Sequence, residues 1–471
     1  MELIIEANDD GEKGNRAKIN IQSLIFNKKV YEEGPKIVVI GGGHGFNTVI
    51  EGLKKYTNNI TAIVTMSDYG RNTTVSRVAL DSLPLNDIKD SIIAMSDHEE
   101  LMKNLMEHKF SNERLYGLNF GDVYLTAMNE IYSNISEAIL KSTAVLNITG
   151  KVIPVTLDEM NITAELANGY VVTEKSKIPE IVYDKVTKIN RIYLNPTNCR
   201  PAPGVLEAIK EADCIIIGPG SLYTNVIPNL LVNGVAKAIK ENTGLKVYIS
   251  NIMTEPGQTD EYSVSDHLNA IIEHCGKGIV DYCIYDTGEI VPEFIKRYNL
   301  EGQDLVIPDV DKIKGITFLQ RNLSMITNDC IRHDPELVAE SIISLICDDL
   351  RYQDKQNDPQ YLMLNNKLKE DKRINKIKKQ MKKDEKKGRK EPKKRKGNSK
   401  FSNKYSDRIE SIKKSSEMEK LKAQKMKKEE KKAKKVKKDS DDTKAPVKRR
   451  KKTPQEIREE MLRKLEESNL K

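Results

Sequence analysis

The chain has 471 residues, 38% of them hydrophobic and none of them tryptophan, with a net charge of +8. An apolar share that low excludes a chain packed from end to end, so part of it is expected to lie outside any folded core. No stretch approaches the roughly 18 apolar residues of a membrane-spanning helix, and Glu2 and Glu6 stand where a signal peptide carries a basic flank, so a cytoplasmic protein is expected.

The charge is divided. Residues 371–471 carry 41 Lys+Arg against 18 Asp+Glu, or +23, and the rest of the chain carries −15. Six cysteines (Cys199, Cys214, Cys275, Cys283, Cys330 and Cys347) are scattered without C-x-x-C spacing, which argues against a zinc ribbon or redox motif and for a reducing compartment.

In chain order, residues 1–34 read as a polar arm. Residues 36–40 (Lys-Ile-Val-Val-Ile) form a short β-branched run, as in a strand buried on both faces. The glycine-rich turn Gly41-Gly42-Gly43-His44-Gly45 follows, then an amphipathic helix over 48–56 and a strand over 60–66. This is one βαβ unit with parallel strands. Helices are predicted over 99–109 and 120–141, and a small inserted region over about 145–190 holds strand candidates at 151–155 and 170–172. A helix over 203–211 leads to a buried strand at 214–217 and a second glycine turn, Gly218-Pro219-Gly220-Ser221. Further elements are a helix over 230–240, a strand over 246–250, and helices over 265–274 and 335–350. The body, 35–350, is therefore read as α/β: a Rossmann-like, doubly wound, mainly parallel sheet. Residues 351–471 read as a Lys-rich, low-complexity tail expected to be disordered, because its composition offers no apolar face to offset the ordering entropy.

Both glycine turns leave a buried strand and precede a helix. Glycine lets backbone approach phosphate closely, and a helix N-terminus offers free N–H groups and partial positive charge. Asn47 could add an amide donor. Ser221 and Thr224 supply hydroxyls, and Tyr223 is a candidate to stack on a base. The alternative for either turn is a plain strand-to-helix connection. Asp68, after the strand ending at Met66, could bind a ribose hydroxyl, hold a cation or act as a base; its plain alternative is an Asx turn. Asn86-Asp87 reads as a helix cap rather than as chemistry. In Arg332-His333-Asp334-Pro335 the arginine suits bidentate phosphate contact, while Asp334-Pro335 reads as a helix start. His267 and His274, seven apart on one helix, read as packing histidines.

The segments Ile40–Gly45, 60–68, 83–89, Gly218–Thr224, 251–259 (Asn-Ile-Met-Thr-Glu-Pro-Gly-Gln-Thr) and Arg332-His333-Asp334 occur in the order of the gluconeogenesis factor family. The chain resembles these bacterial regulators, which bind UDP-N-acetylglucosamine and share their fold with 2-phospho-L-lactate transferase, an enzyme of coenzyme F420 synthesis. The resemblance covers about residues 36–345. It implies that the two glycine turns hold the diphosphate, that Asn251 and Thr254 line the same cleft, and that Arg332 contributes to nucleotide-sugar binding. It implies a non-catalytic regulator of carbon metabolism and cell shape that needs no cofactor and acts through a protein partner, with homodimer formation left open.

Departures from the family pattern matter. Tyr69 stands where the family has a second aspartate, so a two-carboxylate cation site is not expected, and this weighs against transferase chemistry. Residues 117–122 (Gly-Leu-Asn-Phe-Gly-Asp) lack the family's histidine, His44 replaces a threonine, and Arg71 adds a cation near the presumed cleft. A third reading gives the tail its own role, contacting a polyanion such as RNA or an acidic membrane surface; its alternative is a solvated extension.

Overall fold

The computed structural model describes residues 32, 34–65, 86–111, 118–349 and 359–388. It distinguishes two units, Met1–Lys383 and Asp384–Lys471. Of the second, only residues 384–388 are described, as the end of a helix.

The first strand, β1 (Ile37–Gly41), is buried along its whole length. Ile37 and Val39 join one core cluster, Val38 and Ile40 the other. That split follows from strand alternation and explains a run with no polar residue: both faces are covered. Each side chain so buried contributes about 1.5–3 kcal/mol. Helix α1 (Gly43–Leu53) then leads to β2 (Ile60–Val64). Helices α2 (Asn86–Met95), α3 (Glu99–Met106), α4 (Phe120–Tyr132) and α5 (Ile135–Val145) follow, then β3 (Lys151–Pro154). The single helix expected over 120–141 is two. Ser133 ends α4 in the left-handed conformation at φ 51°, and the Asn134 side chain accepts from Ser136 and Glu137 N–H to start α5.

The inserted region is a three-stranded antiparallel sheet of β4 (Asn161–Leu166), β5 (Val171–Val172) and β6 (Ile189–Asn195), with helix α6 (Ile178–Asp184). Strand β3, expected within it, instead pairs in parallel with β2 in the main sheet. The chain continues through α7 (Val205–Glu211), β7 (Cys214–Ile217), a π-helical turn at Leu222–Val226, α8 (Ile227–Leu231) and α9 (Val235–Glu241). The helix expected over 230–240 is broken at Gly234, at φ 84°. Next come β8 (Leu245–Ile249), α10 (Val264–Cys275), β9 (Tyr282–Asp286), α11 (Pro292–Leu300) and β10 (Thr317–Arg321). A hairpin of β11 (Ser324–Thr327) and β12 (Cys330–His333) leads to α12 (Pro335–Asp348).

The main sheet has the order β10-β9-β8-β7-β1-β2-β3 with every pair parallel. The chain winds outward from β1 through β2 and β3 in one direction, and from β7 through β10 in the other. Strands β1 and β7 are neighbours, with Ile40 opposite Ile217. The topological switch point therefore lies between the two strands that carry the glycine turns.

A further element differs from expectation. Residues 359–388, read from composition as tail, form helix α13 (Pro359–Gly388). Leu364 and Leu368, one turn apart, are each 4% exposed within the core cluster shared with α1 and α12. Two leucines spaced for one helical face suffice to dock a helix whose other positions are mostly charged. No helix among the described residues is long and apolar enough to cross a membrane, and none of the six cysteines is in a disulfide.

Candidate functional site

The first glycine turn is tighter than the sequence suggests. Gly41 closes β1, Gly42 alone connects, and Gly43 already opens α1. A side chain on Gly42 would meet Thr65 Cγ2 at 2.7 Å and Asp87 Oδ2 at 2.9 Å. Gly43 adopts φ 78°, which favours glycine, and its N–H donates to Asp87 Oδ1 at 3.2 Å. Asp87 sits inside the first turn of α2 and ties that helix to the glycine turn. The first-turn N–H groups of α1 point out of the C-terminal edge of the sheet, where an anion is favoured.

The second turn abuts the first. A Cβ on Gly220 would lie 2.9 Å from Gly42 O, and a Cβ on Gly45 would lie 3.1 Å from Pro219 Cγ. Asn229, buried in α8, donates to Gly41 O at 3.1 Å and joins the two turns from beneath. Asn251 fixes Gly220 on both sides: Gly220 N donates to Asn251 Oδ1 at 3.0 Å, and Asn251 Nδ2 donates to Gly220 O at 2.9 Å. The π-helical turn begins as Val226 N donates to Ser221 O at 3.0 Å, a geometry that recurs at functional sites.

Above the turns lies a cleft lined by Gly45, Gly220, Asn251, Thr254, Glu255 and Arg332 among others. Arg332 is exposed, carried on β12. His44 is exposed at the start of α1, and the surrounding protein and the charges of Arg332 and Lys103 hold its imidazole below its ordinary range. Glu255 was not singled out from the sequence, although it lies within the 251–259 motif. Its Oε1 accepts from Ser221 Oγ at 2.9 Å and its Oε2 from Gln258 Nε2 at 3.0 Å. Burial raises its pKa, opposed by the Ser221 hydrogen bond and by Lys175. A carboxyl that holds its proton more tightly repels a neighbouring anion less.

Several expected contacts are not available. Asn47 is 6% exposed and its Oδ1 accepts from Ser91 Oγ at 3.2 Å, so its side chain serves the α1–α2 interface. Tyr223 is 2% exposed and its hydroxyl pairs with Tyr262 at 2.8 Å, so it is a core residue rather than a stacking platform. Gly218 and Thr224 are buried behind the turn. Thr254 does line the cleft, its hydroxyl accepting from Asp304 N at 2.8 Å while its O–H remains a donor. Asp68, Arg71 and Gly117 lie outside the described residues. Asp122, in the segment that lacks the family's histidine, forms a buried ion pair with Lys89 Nζ at 2.9 Å.

The histidines behave as packing groups. His274 Nδ1 lies 2.6 Å from Ala270 O, and its Nε2 accepts from Ile192 N at 3.0 Å. His267 Nδ1 lies 2.8 Å from Ser263 O. Asp334 caps α12, accepting from Glu336 N at 2.9 Å, with Pro335 at the first helical position. His333, beside Arg332, is buried, its Nε2 lies 3.2 Å from Ser250 O, and burial pushes its pKa down to about 4 from 6.5. A folded-state value below the unfolded one means that the unfolded chain takes the proton first. Stability is intact above pH 6.5 and is lost as pH falls toward about 4. Urea unfolding at pH 7.5 and 5 should differ by about 2 kcal/mol from this group, and His333→Gln should remove that part of the slope. An unchanged slope in the variant would refute the assignment.

A larger hollow, ≈ 610 Å³ against ≈ 170 Å³ for the cleft, is lined by Asp158, Glu159, Asn161, Asn195 and Arg200 among others. It has neither a glycine turn nor a helix N-terminus, and two carboxylates face it. Phosphate chemistry therefore favours the smaller cleft at the switch point.

Comparison with known proteins agrees with this geometry. A family model described as 2-phospho-L-lactate transferase CofD matches residues 37–324. A gluconeogenesis factor relative from Clostridium acetobutylicum is 43% identical over 359 residues, 75% of this chain and 79% of that one. The gluconeogenesis factor of Bacillus subtilis is 37% identical over 315 residues, 66% of this chain and 98% of that one. The crystal structure of a UPF0052-family protein from Bacillus halodurans superposes with a TM-score of 0.62 at 39% identity, covering 66% of this chain and 100% of that one. With its switch-point cleft and matches of this extent, the chain belongs to the 2-phospho-L-lactate transferase CofD family, alongside the gluconeogenesis factors.

Proposed function

We propose that the chain is a cytoplasmic, non-catalytic regulator that binds UDP-N-acetylglucosamine and acts on carbon metabolism and cell-wall or cell-shape control through a protein partner. The observation that carries this reading is the apposition of two glycine turns at the switch point. Gly220 packs on Gly42, and Gly45 and Thr48 of α1 line one cleft together with Gly220 and Arg332. A helix N-terminus and a guanidinium at one cleft match a diphosphate. Base and sugar come from the resemblance to the gluconeogenesis factors, and binding in this way requires no cofactor. Tyr69, in place of a second carboxylate, favours regulation over transfer.

A second reading is transfer of a phospho-organic acid group from a nucleotide carrier. It draws on the family's description as a transferase. Calorimetry separates the two. Wild type should release heat with UDP-N-acetylglucosamine, and Arg332→Ala should weaken binding by about 10–100-fold, the worth of a charge-assisted hydrogen bond of about 1.5–3 kcal/mol. No heat with UDP-sugars, together with turnover of a GDP- or GTP-linked lactyl compound, sinks the regulator reading in favour of the transferase.

A further inference from the structure

We propose that the second half of α13, with the basic chain that follows it, is a nucleic-acid-binding arm that holds the phosphate backbone without reading base sequence. Two parts of α13 have different characters. In the first, Leu364 and Leu368 are buried in the core, Lys367 Nζ contacts Lys55 O and lies 5.3 Å from the Tyr56 ring centroid, and Lys372 Nζ donates to Ser344 Oγ at 2.9 Å. That half is an anchor. Beyond it Ile374 and Ile377 are 42% and 47% exposed, so docking on the core has ended.

There the charge begins. Residues 371–388 carry 9 Lys+Arg against 3 Asp+Glu, and residues 389–471 carry 32 against 15. Lys376, Lys379, Lys383 and Lys386 recur at intervals of three and four, positions that fall along one side of a helix. Like charges spaced this way repel one another by a few tenths of a kcal/mol per pair, and a polyanion relieves that repulsion.

The remainder of the chain, at −15, repels polyanions, so attraction to one must come from the arm. A lipid surface fits less well. A membrane-surface helix needs a bulky apolar face, and the aromatics of 371–471 are Phe401 and Tyr405 alone. The arm also lies outside the family match, which covers residues 37–324. A function carried by the arm is therefore separable from the cleft.

Fluorescence anisotropy with labelled oligouridylate and random-sequence duplex DNA tests this, comparing the full chain with a chain ended at Gly388. A full-length Lys376→Gln/Lys379→Gln/Lys383→Gln/Lys386→Gln variant isolates the helix. Unchanged calorimetric response to UDP-N-acetylglucosamine serves as the check that each variant is folded. The full chain should bind both probes with little sequence preference, losing roughly 10²–10³-fold in affinity between about 50 and 200 mM salt. Ending the chain at Gly388 should weaken binding at least about tenfold with a shallower salt slope, and the four-lysine variant should also weaken it. Equal affinity of the full and shortened chains, no binding by the full chain at low salt, or tighter binding to phosphatidylglycerol vesicles than to either nucleic acid would each overturn the proposal.

Discussion

Gly220→Ala is expected to weaken UDP-N-acetylglucosamine binding by more than about tenfold, a loss of at least about 1.4 kcal/mol. The added methyl would meet Gly42 O, a backbone atom, at 2.9 Å. Gly220 cannot step aside easily, because Asn251 holds both its N–H and its carbonyl. Relief must come by parting the two turns, which moves Gly45 and Gly220 apart in the cleft lining. The fold should survive at a cost of about 1–3 kcal/mol, as for other overpacked sites. Calorimetry and urea unfolding on the same sample distinguish the two effects. Unchanged affinity in a variant with reduced stability would show that the apposition of the turns does not matter for binding.

Gly52→Ala is expected to be the more destabilising change, by about 2–3 kcal/mol or more. Gly52 lies near the end of α1, where that helix crosses the start of α12. A Cβ there would run into Pro335 O and come within 2.9 Å of Ala339 Cβ. Neither neighbour is the end of a flexible side chain. The two helices would have to separate, and Val49, Leu53, Val338 and Ile342, all at or below 1% exposure, would lose contact. Since Arg332 and His333 immediately precede α12, the same displacement should reach the cleft. A shift in the urea midpoint equivalent to less than about 0.5 kcal/mol would contradict this account of the crossing.

Much of this arrangement was legible in the sequence because it depends on local signals. A β-branched run, then glycine, then an amphipathic stretch occurs twice, at 36–56 and again from 214. Parallel winding places the two turns at one edge of the sheet. The pairing of β1 with β7 turned that expectation into a switch-point cleft. Asp334-Pro335 was legible as a helix start for the same reason. What was not legible depends on direction. Residue type marks Asn47 and Tyr223 as polar or stacking candidates, but Ser91 and Tyr262, 44 and 39 residues away, turn them inward. Asp87 and Glu255 are tied to the two turns by Gly43 and Ser221, contacts across 44 and 34 residues that no local pattern announces. Helix α13 was hidden by composition, since two leucines among lysines carry its anchor.

The most direct measurement of the central claim is a crystal structure of the full chain with UDP-N-acetylglucosamine. Diphosphate oxygens should lie within hydrogen-bonding distance of backbone N–H groups in the first turn of α1, beside Gly220, with the Arg332 guanidinium on the same ligand. A ligand seated instead in the hollow beside Asp158 and Arg200, with the switch-point cleft left without it, would contradict that claim.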